Sequence, residues 1–181
     1  MKNSKNFNND LFTVVKYGDP ILRKKVKDVL DFSELPGLSQ KMLNTMYHEN
    51  GIGLAANQVG ISLNILVLDI SNIEEEEEEE ESDHLVLINT NIIATEGSIV
   101  MEEGCLSVPD IRAEITRPES ITIKYQDINQ IYHQKTFSGL ISRVIQHELD
   151  HLDGKFFVDY LSPVKKSIIS KRLLEISKDG L

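Results

Sequence analysis

The spacing of apolar residues along the chain changes period several times, and each change marks an element. From Leu35 the apolar positions fall at Leu35, Leu38, Met42 and Met46, with Leu43 and Tyr47 widening the stripe. Steps of three and four predict an amphipathic helix ending near Asn50, with Gly51 as its stop. Residues 63–70 read Leu-Asn-Ile-Leu-Val-Leu-Asp-Ile, a buried strand by composition, and 85–93 resumes as strand. Over 120–125 the pattern alternates, with Ile121, Ile123 and Tyr125 on one face and Thr122 and Lys124 on the other. A turn at Asp127-Ile128-Asn129-Gln130 and a second strand at 131–137 complete an antiparallel hairpin. From Ser138 the period becomes helical. Leu140, Ile141, Val144, Ile145, Leu149 and Leu152 cover most of the circumference, which predicts a helix through the core that Gly154 ends. Leu161-Ser162-Pro163 breaks the chain, and a final helix is predicted over 164–177 with Ile168, Leu173, Leu174 and Ile176 as its apolar residues.

Between these elements the chain is irregular. Residues 1–12 are rich in Asn and Lys and read as a loose arm that Phe7, Leu11 and Phe12 anchor in part. Tyr17-Gly18-Asp19-Pro20 is a turn by composition. Gly51-Ile52-Gly53-Leu54-Ala55-Ala56-Asn57-Gln58-Val59-Gly60 carries three glycines and two alanines, which lets backbone approach a neighbour closely. It fits neither phosphate-loop spacing, and reads either as a tight loop against a helix or as the lining of a cleft with the Gln58 amide on offer. Pro109 keeps the segment 102–109 from becoming helix, and 112–116 looks extended.

Composition adds little to this until the charge is mapped. The chain has 181 residues, enough for one domain with a substantial core, and we expect a single domain over 1–181. The net charge is −10, but 74–81 is an unbroken run of eight glutamates, and without those eight charges the remainder carries −2. The run reads as a solvated, mobile loop over 72–83 between two strands. The body itself gives no electrostatic reason to expect DNA binding. No apolar run reaches the roughly 18 residues of a membrane helix, and the polar start Met1-Lys2-Asn3-Ser4-Lys5-Asn6 has no apolar stretch behind it. The expectation is a cytoplasmic protein without membrane contact.

The candidate chemistry lies on the helix after Ser138. Gln146-His147-Glu148-Leu149-Asp150-His151 contains H-E-x-x-H. Residues four apart share a helix face, so His147 and His151 can hold one metal ion, and Glu148 stands beside it as a proton acceptor. A catalytic site of this kind usually has three protein ligands and an open position. Cys105, the one cysteine, sits in a Gly-flanked segment suited to bringing a thiolate close, and a Cys-His-His set is soft enough for Zn2+ or Fe2+. Taken alone, Cys105 reads rather as an inert buried thiol. His48, His84 and His133 fall in contexts read as surface or strand.

Three separated motifs, Gly51-Ile52-Gly53-Leu54-Ala55-Ala56-Asn57-Gln58, Glu103-Gly104-Cys105-Leu106-Ser107 and Gln146-His147-Glu148-Leu149-Asp150-His151, resemble the peptide deformylase family in order and wording. Tyr17-Gly18-Asp19-Pro20 and Asp159-Tyr160-Leu161-Ser162-Pro163 resemble it too, so the likeness runs over about 14–170. The resemblance implies an α+β fold, with mixed and antiparallel sheets packed around a central metal-binding helix and a C-terminal helix. It implies an enzyme that removes the N-formyl group from the initiator methionine of new polypeptides and releases formate. Cys105, His147 and His151 would be the metal ligands. Glu148 would take a proton from water and pass it to the leaving amine, while the Gln58 amide and the Leu106 backbone N–H would meet the oxyanion. The implied metal is one divalent ion, Fe2+ in the cell, with Zn2+, Ni2+ or Co2+ in isolated protein. The methionine pocket would draw on Ile52, Met101, Leu140, Arg143 and Val144, with Gly53, Glu103 and Gly104 aligning the peptide backbone. Arg143 suits an apolar pocket only if its stem lines the wall and its head reaches water. The glutamate run is an insertion between strands that the family joins more directly. The final helix carries Lys165, Lys166, Lys171, Arg172 and Lys178 against Glu175 and Asp179, a net of +3, which suits ribosomal RNA.

Two competing readings remain at this stage. An H-E-x-x-H metallopeptidase takes its third ligand downstream, yet no histidine follows His151 and Glu175 lies beyond the Pro163 break. A metal-stabilised binding module would close the ion off with a fourth protein ligand and make Glu148 dispensable.

Overall fold

The computed structural model describes residues 11–71 and 83–179. The arm at 1–10 and the glutamate run at 74–81 lie outside the described residues. In chain order the elements are α1 (Leu35–His48), β1 (Gly53–Ala55), β2 (Ile65–Asp69), β3 (His84–Glu96), β4 (Ile99–Cys105), β5 (Val108–Arg117), β6 (Ser120–Gln126), β7 (Tyr132–Ser138), α2 (Gly139–Leu152) and α3 (Pro163–Asp179). Five strands form one sheet in the order β1-β2-β3-β6-β7, and β4 and β5 form a separate pair. The architecture is α+β. Neighbouring strands run antiparallel throughout, and one isolated parallel bridge joins Lys27 to Leu63.

The five-stranded sheet is covered on both faces, which explains why β2 reads as a continuous apolar run. Ile65 and Val67 join Met42, Leu43 and Met46 of α1 on one side. Leu66 and Leu68 join Ile141, Val144, Ile145 and Leu152 of α2 on the other, with Ile121, Ile123 and Phe137 from the hairpin. The alternation predicted for 120–125 therefore points Ile121 and Ile123 at α2, and β6 pairs with β7 from Ser120–Ser138 to Gln126–Tyr132. A third apolar cluster packs β5 against the chain after α2, through Val108, Ile111, Ile115, Phe156, Phe157 and Ile176.

Three expectations change in detail. The stop of α1 is made by Asn50, whose φ of 58° is left-handed, while the Gly51 N–H returns to the Met46 carbonyl at 2.9 Å. A Cβ at Gly51 would stand 2.8 Å from Leu106 Cδ1, so a larger residue there would shift the end of that side chain. The segment around Cys105 is a hairpin, with β4 beginning at Ile99 and β5 already at Val108. In α3, Leu173 and Ile176 face the body together with Ile169, whereas Ile168 and Leu174 are exposed. The start of the described chain is tied down at Phe12, whose N–H donates to Thr45 Oγ1 at 3.0 Å and whose ring lies under Lys41 Nζ.

Candidate metal centre

Two elements with different reasons to be rigid bring the candidate ligands together. On α2, His147 and His151 are one turn apart, and their ring centroids stand 4.9 Å from each other. On the other side, Cys105 closes β4 and pairs with Val108 across the two-residue turn Leu106-Ser107. That turn is pinned from both sides. The Ser107 carbonyl accepts from the Tyr17 N–H at 2.8 Å, and the Leu106 carbonyl accepts from Lys16 Nζ at 2.9 Å. Cys105 Sγ lies 3.1 Å from His151 Nε2, and one ligand atom from each of Cys105, His147 and His151 falls within 4.8 Å of the others. The donor set fits a divalent ion of the Zn2+ or Fe2+ type, with soft sulfur and two imidazole nitrogens. The Ser107 N–H also points at Cys105 Sγ at 3.4 Å.

His147 has its other nitrogen engaged. Nδ1 donates to Glu103 Oε2 at 2.8 Å, which leaves Nε2 for the centre. Glu103 in turn receives Arg117 Nε at 2.6 Å, Arg117 Nη2 at 3.0 Å and Arg143 Nη1 at 2.8 Å, all in the interior. Burial alone would raise the Glu103 pKa. The hydrogen bonds from His147 and Arg117 outweigh it and hold the carboxyl well below the usual carboxylate range. Burial likewise opposes charge on His147, but Cys105 and Glu103 raise its pKa above the ordinary value, whereas burial lowers that of His151.

Glu148 is turned toward the other wall. It is almost fully buried, its Oε2 has no hydrogen-bond partner, and desolvation pushes its pKa up to about 7. Gly53 lets this happen, because a Cβ at that position would be 2.6 Å from Glu148 Oε1 and 2.7 Å from Val144 Cγ1. Gln58 is buried beside the sulfur. Its Oε1 accepts from the Ala55 N–H at 2.8 Å, which fixes the amide so that the NH2 faces Ser107 Oγ at 3.2 Å and Cys105 Sγ at 3.6 Å. Asn57, its neighbour, donates to the His151 carbonyl.

A cavity of about 690 Å³ opens onto these groups. Its walls take Glu103, Gly104, Cys105 and Leu106 from the β4–β5 hairpin, and Leu140, Arg143, Val144, His147 and Glu148 from α2. Ile52, Gly53 and Gln58 supply the third side. Ile52 and Leu140 are part-exposed at the rim. Two residues expected in or at the cavity are not in its walls. His151 is fully buried behind it, and Met101 is paired with Ile115 along the hairpin. Arg143 differs from expectation as well. Its head reaches Glu103 and the carbonyls of Ile115 and Ile99, at 3.0 and 2.7 Å, rather than water, so only its stem is left for the wall. Glu103 likewise has both carboxylate oxygens engaged, which leaves only its backbone for a peptide.

Sequence reasoning missed Arg117 and the further role of Asp150. Arg117 Nη1 donates to Asp150 Oδ2 at 2.6 Å, and Tyr160 Oη donates to Asp150 Oδ1 at 2.9 Å. A signal for Arg117 exists in the alternation of β5. Ile111, Ala113 and Ile115 point inward, and Arg117 occupies the next inward slot, where a cation requires a buried partner.

Residues 11–167 match the family model described as polypeptide deformylase. A peptide deformylase of Christiangramia forsetii is 40% identical over 177 residues, covering 93% of this chain and 90% of that protein. One from Chlorobaculum tepidum is 43% identical over 163 residues, covering 90% and 86%. The crystal structure of peptide deformylase from Thermus thermophilus superimposes with a TM-score of 0.85 at 34% identity, covering 94% of this chain and 99% of that one. The Plasmodium falciparum enzyme gives 0.83 at 38% identity, covering 92% and 96%.

Proposed function

Because the chain belongs to the peptide deformylase family, a family of hydrolases that remove the N-formyl group from newly made polypeptides, we propose how its own residues divide that reaction. The observation that carries the proposal is the meeting of Cys105, His147 and His151 ligand atoms within 4.8 Å, beside a cavity that Cys105, His147 and Glu148 line. The family is metal-dependent, and these three side chains are the ones we assign to hold the ion. A bound divalent cation supplies Lewis acidity toward the formyl carbonyl and acidity to a water. Glu148 takes the proton from the attacking water and returns it to the departing amine. Its buried, unpartnered Oε2 and the desolvation that raises its pKa in the metal-free site support that role, since such a group holds a proton more readily than an exposed carboxylate. The Gln58 amide and the Leu106 N–H receive the developing oxyanion, and the Ala55 contact that orients the Gln58 amide supports this assignment.

The formylmethionine side chain enters between Ile52, Leu140 and Val144, with the Arg143 stem as part of the wall. The peptide backbone runs beside Gly53, Glu103 and Gly104. We take Fe2+ as the ion in the cell, with Zn2+, Ni2+ or Co2+ able to occupy the same ligands. No described helix is long and apolar enough to cross a membrane. We place the enzyme in the cytoplasm, where formylated chains emerge from ribosomes. The exposed lysines of α3, Lys165, Lys166 and Lys171, support a contact between α3 and the ribosome. Unchanged ribosome co-sedimentation after deletion of 164–181 would remove that contact.

The test is formate release from formyl-Met-Ala-Ser by anaerobically purified protein loaded with Fe2+ or Ni2+. Absence of formate at every loading would end the assignment. Cys105→Ser should bind the metal far less tightly, and unchanged affinity would remove Cys105 as a ligand.

A further inference from the structure

Behind His147 a ring of charged contacts leaves α2 and returns to it. His147 on α2 holds Glu103 on β4, and Glu103 takes two nitrogens of Arg117 on β5. The third nitrogen, Arg117 Nη1, returns to α2 at Asp150, one residue before His151. Every member is on a different element from its partner, so the ring ties α2 to the hairpin that carries Cys105. The planar guanidinium is held on two edges and has little freedom to rotate. Outside the ring stands Tyr160, on the short 3-10 turn Phe157–Tyr160. Its hydroxyl donates to Asp150 at 2.9 Å, and its ring lies 5.1 Å from Arg117 Cζ, covering an arginine that is only 6% exposed. Tyr160 itself is half-exposed, and its described contacts are to Asp150 and Arg117.

We propose that Asp150 and Tyr160 are positioning residues for the metal centre. They clamp Arg117 onto Glu103, and so set the rotation of the His147 ring and the distance from α2 to Cys105. The phenol ring shields the Arg117–Asp150 pair from water, and its hydroxyl fixes the Asp150 carboxylate that the pair depends on. This inference rests on the reading of Cys105, His147 and His151 as ligands.

The experiment uses the full chain, stripped of metal and titrated with Co2+ against a chromophoric chelator. Affinity is read from the competition. Ligand geometry is read from the visible d–d bands and the thiolate-to-cobalt charge-transfer band. Tyr160→Ala should weaken Co2+ binding about tenfold and shift the d–d bands, the scale at which groups behind a ligand act on a metal. Tyr160→Phe keeps the ring and loses one hydrogen bond, so it should weaken binding by about threefold. In a Glu103→Ala background the path is already cut, and Tyr160→Ala should then cost less than about twofold. A lowered melting temperature with wild-type affinity and spectrum would make Tyr160 merely structural and overturn the proposal. Equal losses in the two backgrounds would overturn it as well. If Tyr160→Ala does not fold, wild-type affinity in Tyr160→Phe overturns it. Wild-type protein that takes up no Co2+ would instead strike down the ligand assignment itself.

Discussion

Glu103→Ala removes one carboxylate and strands the donors that converge on it. Arg117 loses two hydrogen bonds, of 2.6 and 3.0 Å, and keeps only Asp150. Arg143 loses one of 2.8 Å and keeps the carbonyls of Ile115 and Ile99. His147 loses its only partner on Nδ1 among the described contacts. The arginines are 6% and 4% exposed, so the excess positive charge stays in the interior. Removing one partner from a buried ion pair costs about 3–5 kcal/mol. For a chain of this size, where 1 kcal/mol moves the melting point by about 2–4 °C, the expected drop is roughly 6–20 °C. Glu103→Gln keeps the shape and one acceptor oxygen, and should lose about half as much. The assay is thermal unfolding of metal-free protein in excess chelator, so that metal loss does not enter. The pH dependence has a definite sign. The folded Glu103 pKa lies below its unfolded value of about 4.3, so its contribution is present above that value and is lost as the pH falls toward the folded pKa. The wild-type advantage over Glu103→Ala should therefore stand in full at pH 6 and narrow below about pH 4. A metal-free Glu103→Ala protein within about 1 kcal/mol of wild type at pH 6 would refute the reasoning.

Glu148→Gln preserves the shape of the cavity wall and removes the proton acceptor, so kcat for formate release should fall about 10²–10⁴-fold at unchanged metal content; full activity would remove Glu148 from proton transfer. Gly53→Ala drives a methyl group into Glu148 Oε1 and Val144 Cγ1, and because both are packed against the sheet kcat/KM should drop at least about tenfold, with a stability loss of about 1–3 kcal/mol; wild-type kinetics would show that this wall yields. Gly18 has φ +110° and sits against Ser177 of α3, so Gly18→Ala should loosen α3 and speed proteolysis within 163–179; an unchanged cleavage rate would show that α3 docks without the close approach. Asp159, desolvated but paired with Arg23, has a lowered pKa, so Asp159→Asn should cost stability at neutral pH and progressively less as the pH falls through the carboxylate range, read by urea unfolding at each pH.

The elements with strong periodicity were legible in the sequence. The stripe of α1, the β6–β7 hairpin and the apolar circumference of α2 all reflect burial against one or two faces, and burial writes a period directly into the residues. Shorter pieces were not legible. Strand β1 has three residues, too few to show a period, and β4 mixes Glu102, Glu103 and Gly104 into what is a hairpin strand. The candidate ligand set was readable because H-E-x-x-H fixes two side chains on one helix face and a single cysteine stands in a glycine-flanked segment. The groups behind the ligands were not, because Glu103, Arg117 and Asp150 meet only through the tertiary fold. A charged residue in a strand reads as solvent-facing until its inward slot is recognised. Arg143 shows the same failure from the other side: an arginine at an apolar-looking position implied a head in water, yet its partner was a carboxylate forty residues earlier.

The buried charges around His147 balance: Arg117 and Arg143 against Glu103 and Asp150. That balance bears on Glu148. The charge on His147, a hydrogen bond from the Ala55 N–H and the positive charge of Arg117 lower its pKa, and the negative charge of Glu103 raises it. The largest cause is desolvation, which outweighs them and carries it to about 7 in the metal-free site. The basicity of Glu148 is thus set by the wall that excludes water from it, and Gly53 and Val144 are that wall. A missing side chain at Gly53 and a carboxylate poised near neutrality then have one origin. Packing close enough to strip water from the carboxylate requires that the residue opposite carry no Cβ. A proton acceptor tuned by packing keeps its pKa when salt screens the surface, so the pH dependence of kcat should respond to Gly53 substitution and hardly to ionic strength.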